Sequence, residues 1–218
     1  MPYKILVIGD SHSWVFKYLN KKQEKYQFTN IIIQGATCLG LKNPNSKTNS
    51  KTIIEDFLLK ENLKKYDRIM FMLGEVDVGY LIWYLAKIRN ISIKSLFKRS
   101  ITNFLELILS IQNYSIENVV IVGCTLPTVK NMQVSNYGHR SKINVDIKKR
   151  TKFTLKYNRC LDKLSKKYSF RYIDITKYTI DKDTGTINQF YIYHKDDHHL
   201  SIKKTYTLWL KEINLLFK

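Results

Sequence analysis

The sequence predicts an α/β domain built on a central parallel sheet of about five strands. Two observations carry this. Short apolar runs rich in Ile, Val, Leu and Phe alternate with longer segments of helical periodicity, the pattern of repeated strand–helix–strand units. The first three runs also end in loops bearing glycine or acidic residues, where open α/β sheets keep their ligand crevice.

Residues 3–8 hold Ile5, Leu6, Val7 and Ile8, a buried parallel strand. Residues 13–24 read as a helix, with Trp14, Val15, Tyr18 and Leu19 at helical spacing. Residues 28–33 are a second strand, and residues 34–50 a long polar loop with Gly35, Gly40 and Pro44. A helix at 52–63 leads to a third strand at 66–73, which ends in Gly74-Glu75-Val76-Asp77. Residues 78–89 and 95–112 read as helices, and 118–123 as a fourth strand. Residues 126–150 are polar, irregular and basic, an expected insertion over the site. A helix at 151–167, a strand at 170–175, a hairpin turn at Asp183-Thr184-Gly185 and an amphipathic helix at 202–217 complete the chain. No linker or repeat divides it, so residues 1–218 are expected to form one domain.

The chain is 44% apolar and 13% aromatic, which suits a packed core and excludes a disordered chain. Its formal charge of +19 draws polyanions: nucleic acid, anionic polysaccharide, a membrane surface or a phosphate-bearing cofactor. Lys, Ile and Asn are abundant throughout, so composition bias accounts for the excess equally well. The segment 130–152 gathers Lys130, His139, Arg140, Lys142, Lys148, Lys149, Arg150 and Lys152 around Tyr137. No helix-turn-helix, zinc-finger or stacking pattern accompanies them, so nucleic acid is not expected as partner. Cys38, Cys124 and Cys160 are odd in number and lack metal-ligand spacing, which predicts buried thiols in a reducing compartment. The first apolar run is a strand and not a signal sequence, and no run approaches bilayer length. The cytoplasm is the expected compartment, with peripheral association to a membrane-bound assembly left open.

Two short motifs carry chemistry. Gly9-Asp10-Ser11-His12-Ser13 follows the first strand. A serine on such a turn presents its hydroxyl at a helix N-terminus, where backbone N–H groups also favour an oxyanion. Ser13 is the more natural N-cap of the helix beginning at Trp14, which leaves Ser11 free. The second motif, Asp196-Asp197-His198-His199-Leu200-Ser201, supplies an imidazole that titrates near neutrality and a carboxylate to orient it. Spacing alone does not separate His199 from His198, or Asp196 from Asp197. His194 could pair with His198 on a metal, but no third ligand has matching spacing, so no metal is expected.

Together with Gly35-Ala36-Thr37-Cys38-Leu39-Gly40 and Gly74-Glu75-Val76-Asp77, these motifs resemble the sequence blocks of the SGNH (GDSL-like) hydrolase superfamily, in the right order across nearly the whole chain. The loop from Gly35 through Asn43-Pro44-Asn45-Ser46-Lys47-Thr48 is similar to that of its bacterial surface-polysaccharide branch. The resemblance implies a flavodoxin-like three-layer α/β/α fold and ester chemistry by a serine nucleophile. The family pattern Asp-x-x-His-Leu-Ser selects Asp196 and His199 as partners of Ser11. It implies an oxyanion hole from the backbone N–H of Ser11 and of a glycine, Gly40 or its rival Gly35. The family's third donor is an asparagine side chain, and here Val76 stands in its place and cannot donate. Asn43, Asn45 or Lys47 could substitute, and Glu75 and Asp77 could bind substrate hydroxyls or simply cap a helix.

Three functions compete. The expected one is an O-acetyltransferase that moves acetyl from acetyl-CoA, through Ser11, onto a bacterial capsular polysaccharide, an anionic carbohydrate drawn by the basic surface. The second is an O-acetylesterase with water as acceptor. The third is a non-catalytic polyanion-binding protein, which the missing asparagine favours and the intact serine–histidine–acid set disfavours.

Overall fold

A computed structural model of the chain describes residues 1–111, 118–130 and 143–218. One sheet holds β1 (Tyr3–Gly9), β2 (Tyr26–Ile32), β3 (Arg68–Met72), β4 (Val119–Val122) and β5 (Arg171–Ile173). All four neighbouring pairs are parallel, in the order β2-β1-β3-β4-β5. That is the flavodoxin-like doubly wound order, whose switch point lies at β1 and β3. The helices are α1 (Trp14–Leu19), α2 (Ser50–Lys60), α3 (Ile82–Arg89), α4 (Ile93–Leu109), α5 (Ile147–Lys167), the short α6 (Thr176–Thr179) and α7 (Ile202–Leu215).

Strand alternation sorts the core into two layers. Leu6 and Ile8 of β1 stand beside Ile69 and Phe71 of β3, and Phe71 stands beside Ile121 of β4. That row packs on Leu96, Phe104 and Leu107 of α4 and on Tyr157 and Leu161 of α5. Ile5, Val7, Met70, Met72, Val120 and Val122 point the other way, onto Phe16 and Leu19 of α1 and Trp209 and Ile213 of α7. Because both faces are covered, the inner stretches Ile5–Ile8 of β1, Ile69–Met72 of β3 and Val119–Val122 of β4 are apolar at every position. Each fully buried aliphatic or Phe side chain contributes about 1.5–3 kcal/mol over leaving it in water. The result is a three-layer α/β/α sandwich.

Several boundaries differ from expectation, for local reasons. The first helix ends early because Asn20 turns to β2: its side chain donates to the Phe28 carbonyl and accepts the Phe28 N–H, both at 2.8 Å. The helix expected from residue 78 opens with a π-turn, Asp77–Leu81. A Cβ on Gly79 would lie 2.6 Å from Glu75 Oε1, so glycine there makes room for that carboxylate. The basic stretch 126–150 is only partly described: Tyr137, His139, Arg140 and Lys142 lie outside the described residues. Its last part is helix and not loop. Asp146 caps α5 by accepting the N–H groups of Lys148 and Lys149 at 2.7 and 3.2 Å. Arg150 is buried and donates to the carbonyls of Val145 and Val129, so it is no surface cation. The turn at Asp183-Thr184-Gly185 does join an antiparallel bridge between Ile180 and Ile187. Among the described residues, no helix is long and apolar enough to cross a membrane.

Candidate active site

The C-terminal edge of the sheet builds the site. At the end of β1 a Cβ on Gly9 would sit 2.9 Å from the Met72 carbonyl oxygen, so only glycine lets the turn close against β3. Asp10 caps the following turn by accepting the His12 N–H at 2.9 Å. The expected capping role of Ser13 is not seen: its hydroxyl donates back to the Asp10 carbonyl at 2.6 Å. Ser11, between them, turns its hydroxyl toward a cleft and lies 2.8 Å from His199 Nε2.

Asp197, not Asp196, is the acid on His199. One oxygen of Asp197 accepts the His199 backbone N–H at 2.8 Å and faces its Nδ1 at 2.6 Å. A two-residue spacing explains this, since an aspartate readily accepts the N–H two positions on and thereby brings the same oxygen to the ring. Asp196 is carried outward, where its carboxylate lies 3.9 Å from Nδ1 of exposed His194. The loop is pinned by Thr128, whose hydroxyl donates to the Asp197 carbonyl at 2.6 Å. Burial, and then the positive charge of His12, hold His199 below the usual histidine range, against the opposing pull of Asp197. The ring is therefore neutral near pH 7 and able to accept a proton.

His12 was read in the sequence only as a neighbour of Ser11. It is buried, with Nδ1 3.1 Å from Asp10 Oδ1. Nε2 lies 3.2 Å from the His198 carbonyl oxygen and 3.5 Å from Glu75 Oε2. Burial alone would strip its proton, but the carboxylates of Glu75 and Asp10 outweigh it and hold the pKa at about 9. Glu75 is buried and is not among the residues lining the cleft beside Ser11. Asp77 is also interior: it accepts the N–H groups of Cys38 and Leu39 at 2.7 and 2.9 Å and so clasps the glycine loop to the end of β3. Burial pushes its pKa up to about 7, against those two bonds.

The cleft beside Ser11 has a volume of about 790 Å3, with Trp14, Tyr18, Gln34, Tyr193 and Lys203 among its lining residues. Gly35 lines it in the left-handed region, at φ +71°. Gly40 does not: its N–H goes to Thr37 Oγ1 at 2.9 Å, and with Asn43 it lines a separate depression of about 230 Å3. Asn45 and Lys47 are exposed on the same loop and line neither. Val76 does line the main cleft, as does Thr125, whose buried hydroxyl has no hydrogen-bond partner among the described residues. Sequence reading missed Thr125, which follows β4 with no motif around it.

One group of metal-ligating side chains gathers here, the imidazoles of His12, His198 and His199, with ring nitrogens within 4.8 Å of one another. Both nitrogens of His12 and of His199 already face Asp10, the His198 carbonyl, Asp197 and Ser11. A metal would have to displace these partners, so the set fits a serine site better than a metal centre. His194, the expected ligand candidate, stands apart with Asp196.

No family model matches the chain, and no curated protein matches it. Solved structures do. An aryl esterase of M. smegmatis aligns over 98% of this chain and 99% of its own, at 12% identity and TM-score 0.62. A carbohydrate acetylesterase family member from Sinorhizobium meliloti covers 99% and 97%, at 13% identity and TM-score 0.58. A GDSL-like lipase from Bacteroides thetaiotaomicron covers 97% and 86%, at 14% identity and TM-score 0.57. At such identities the likeness is one of fold, and the fold of this chain is that of the SGNH (GDSL-like) hydrolases.

Proposed function

We propose that this chain is a serine-dependent acyl-ester enzyme acting on O-acetylated carbohydrate. The observation that carries the reading is the hydrogen-bonded series Ser11–His199–Asp197 at the cleft. As Ser11 Oγ adds to the ester carbonyl, neutral His199 takes its proton and Asp197 steadies the imidazolium. The proton then passes to the leaving oxygen as the C–O bond breaks, which leaves an acyl-Ser11. A second hydroxyl attacks that ester, gives its proton to His199, and Ser11 recovers it on departure. The backbone N–H groups of Ser11 and Gly35 are assigned to the oxyanion. Thr125 supplies the donor that Val76 cannot, since its hydroxyl is unspent and borders the same cleft.

Carbohydrate is favoured by a cleft that mixes the aromatic faces of Trp14, Tyr18 and Tyr193 with the polar groups of Gln34 and Lys203, a lining suited to the apolar and hydroxylated sides of a sugar ring. A second reading keeps the acyl-enzyme and changes the acceptor: transfer from acetyl-CoA to a hydroxyl of an anionic, capsular-type polysaccharide in the cytoplasm. The charge of +19 favours it, since both substrates carry negative charge.

Incubation with acetylated glycan, and separately with acetyl-CoA and an acceptor glycan, tests both. Acetate released without an acceptor selects the esterase. CoA released only with an acceptor selects the transferase. Absence of an acetyl group on Ser11 by peptide mass analysis under either condition, with no turnover, would refute the serine chemistry.

A further inference from the structure

His12 faces acceptors on both sides. Asp10 meets Nδ1 with a carboxylate oxygen; on the Nε2 side stand the His198 carbonyl and the Glu75 carboxylate. A neutral imidazole carries one N–H and would leave one of these contacts as lone pair against lone pair; only the doubly protonated ring satisfies both. The His198 carbonyl belongs to the peptide unit whose other end is the His199 N–H, and that N–H is held by Asp197 at 2.8 Å. The unit carrying His199 is therefore gripped at its carbonyl by His12 and at its N–H by Asp197.

We propose that His12 is a positioning residue: an imidazolium charged through neutral pH that clamps the His198–His199 peptide, seats His199 on Ser11, and releases it when His12 loses its proton. This rests on the serine reading above and adds its regulation by pH. The charged and titratable groups facing His12 are Asp10 on its own turn, Glu75 at the end of β3, and His198 and His199 on the opposite loop, with Asp197 beyond His199. The ring centres of His12 and His199 are 4.7 Å apart, so the fixed cation also opposes protonation of His199. Activity should rise with pH as His199 becomes neutral, hold a plateau, and fall as His12 deprotonates near pH 9.

The test has an arm that does not depend on activity. Nitrogen-15 NMR of the wild-type imidazoles at pH 7.5 should show both His12 nitrogens protonated, with titration above pH 8. A neutral His12 at that pH would overturn the proposal even if the serine chemistry holds. Conversely, an inert enzyme with a protonated His12 would sink the serine reading alone. In His12→Gln the His199 titration should move up, because the like charge beside it is removed. On p-nitrophenyl acetate, kcat should fall and KM change little. An unmoved His199 titration with unchanged kcat overturns the clamp. Should His12→Gln fail to fold, Glu75→Gln serves: it should lower the His12 titration and carry the alkaline limb of kcat down with it, and a limb that stays in place refutes the proposal.

Discussion

Two histidines 4.7 Å apart have been given opposite states by their surroundings. His12 is closed in by two carboxylates and a carbonyl, all acceptors, and keeps its proton up to about pH 9. His199 has one carboxylate, one hydroxyl and the neighbouring cation, and loses its proton below the usual range. The side chain is the same; the count and sign of the groups around it decide which ring is a fixed charge and which is a base. Where neighbouring titratable groups are pushed apart in this way, acid–base roles separate.

The largest effect should come from the His199 side. Ser11→Ala and His199→Ala should each lower kcat by a thousandfold or more (~10^3 at least), and the double variant should be no worse, because nucleophile and base act as one unit. Additive losses would mean that His199 does not serve Ser11. Asp197→Asn should cost about 10^2 to 10^4 in kcat by loss of the correct tautomer, while Asp196→Asn stays within about twofold. The reverse ranking in steady-state kinetics would restore the spacing suggested by the family pattern. Thr125→Val should cost about 10^2 in kcat with an unchanged melting temperature, if its hydroxyl meets the oxyanion; a smaller loss than tenfold (about 1.4 kcal/mol) would leave the donor unassigned to it.

Asp77 extends the comparison to a buried acid. Its folded pKa of about 7 lies above the ordinary 3.8, so the folded state binds the proton more tightly than the unfolded chain. Its share of stability should therefore decline as pH rises from about 4 to 7, and Asp77→Asn should flatten that part of a urea-unfolding series. A stability that climbs through the same window in the wild type and not in the variant would reverse the assigned sign. The smallest effect belongs to the surface. Reversing Lys148 and Lys149 should raise KM for an anionic glycan a few fold (~0.5–1 kcal/mol) and leave p-nitrophenyl acetate unaffected, mimicking added salt. Equal behaviour of the two substrates would return the charge to composition bias. Arg150 is left out because its guanidinium is buried on backbone carbonyls.

The sheet was legible because Ile5–Ile8, Ile69–Met72 and Val119–Val122 are apolar on both faces, which few other structures require. The π-turn at Asp77–Leu81 was not, since its cause is the fit of one carboxylate against one glycine. In the site, Ser11 and His199 were readable from motif and order, and the structure joins them. Asp196 was chosen over Asp197 by family spacing, whereas a local side-chain-to-backbone turn favours Asp197. Gly40, Asn43, Asn45 and Lys47 shared a loop with Gly35, but only the fold tells which end of a loop reaches a cleft. Glu75 and Asp77 were read as substrate-binding or helix-capping acids; carboxylates are seldom buried, and here a buried imidazolium and two backbone N–H groups compensate them. Thr125 draws its significance from a cleft built by segments far away in sequence, and His12 from Glu75 and the His198 carbonyl, none of which periodicity records.

The clasp of Asp77 on the glycine loop has an experimental use. It holds the N–H of Cys38, while Asn103 of α4 donates to the Cys38 carbonyl at 3.1 Å, so this thiol is sealed in the core beneath the loop. Burial raises its pKa and that of Cys124 well above the ordinary value, and only Cys160 of α5 is partly exposed. Alkylation of Cys38 in native buffer must then await a local opening of the loop. Its rate relative to that of Cys160 is a clock for the breathing of the loop beside Ser11, readable by mass without substrate or substitution.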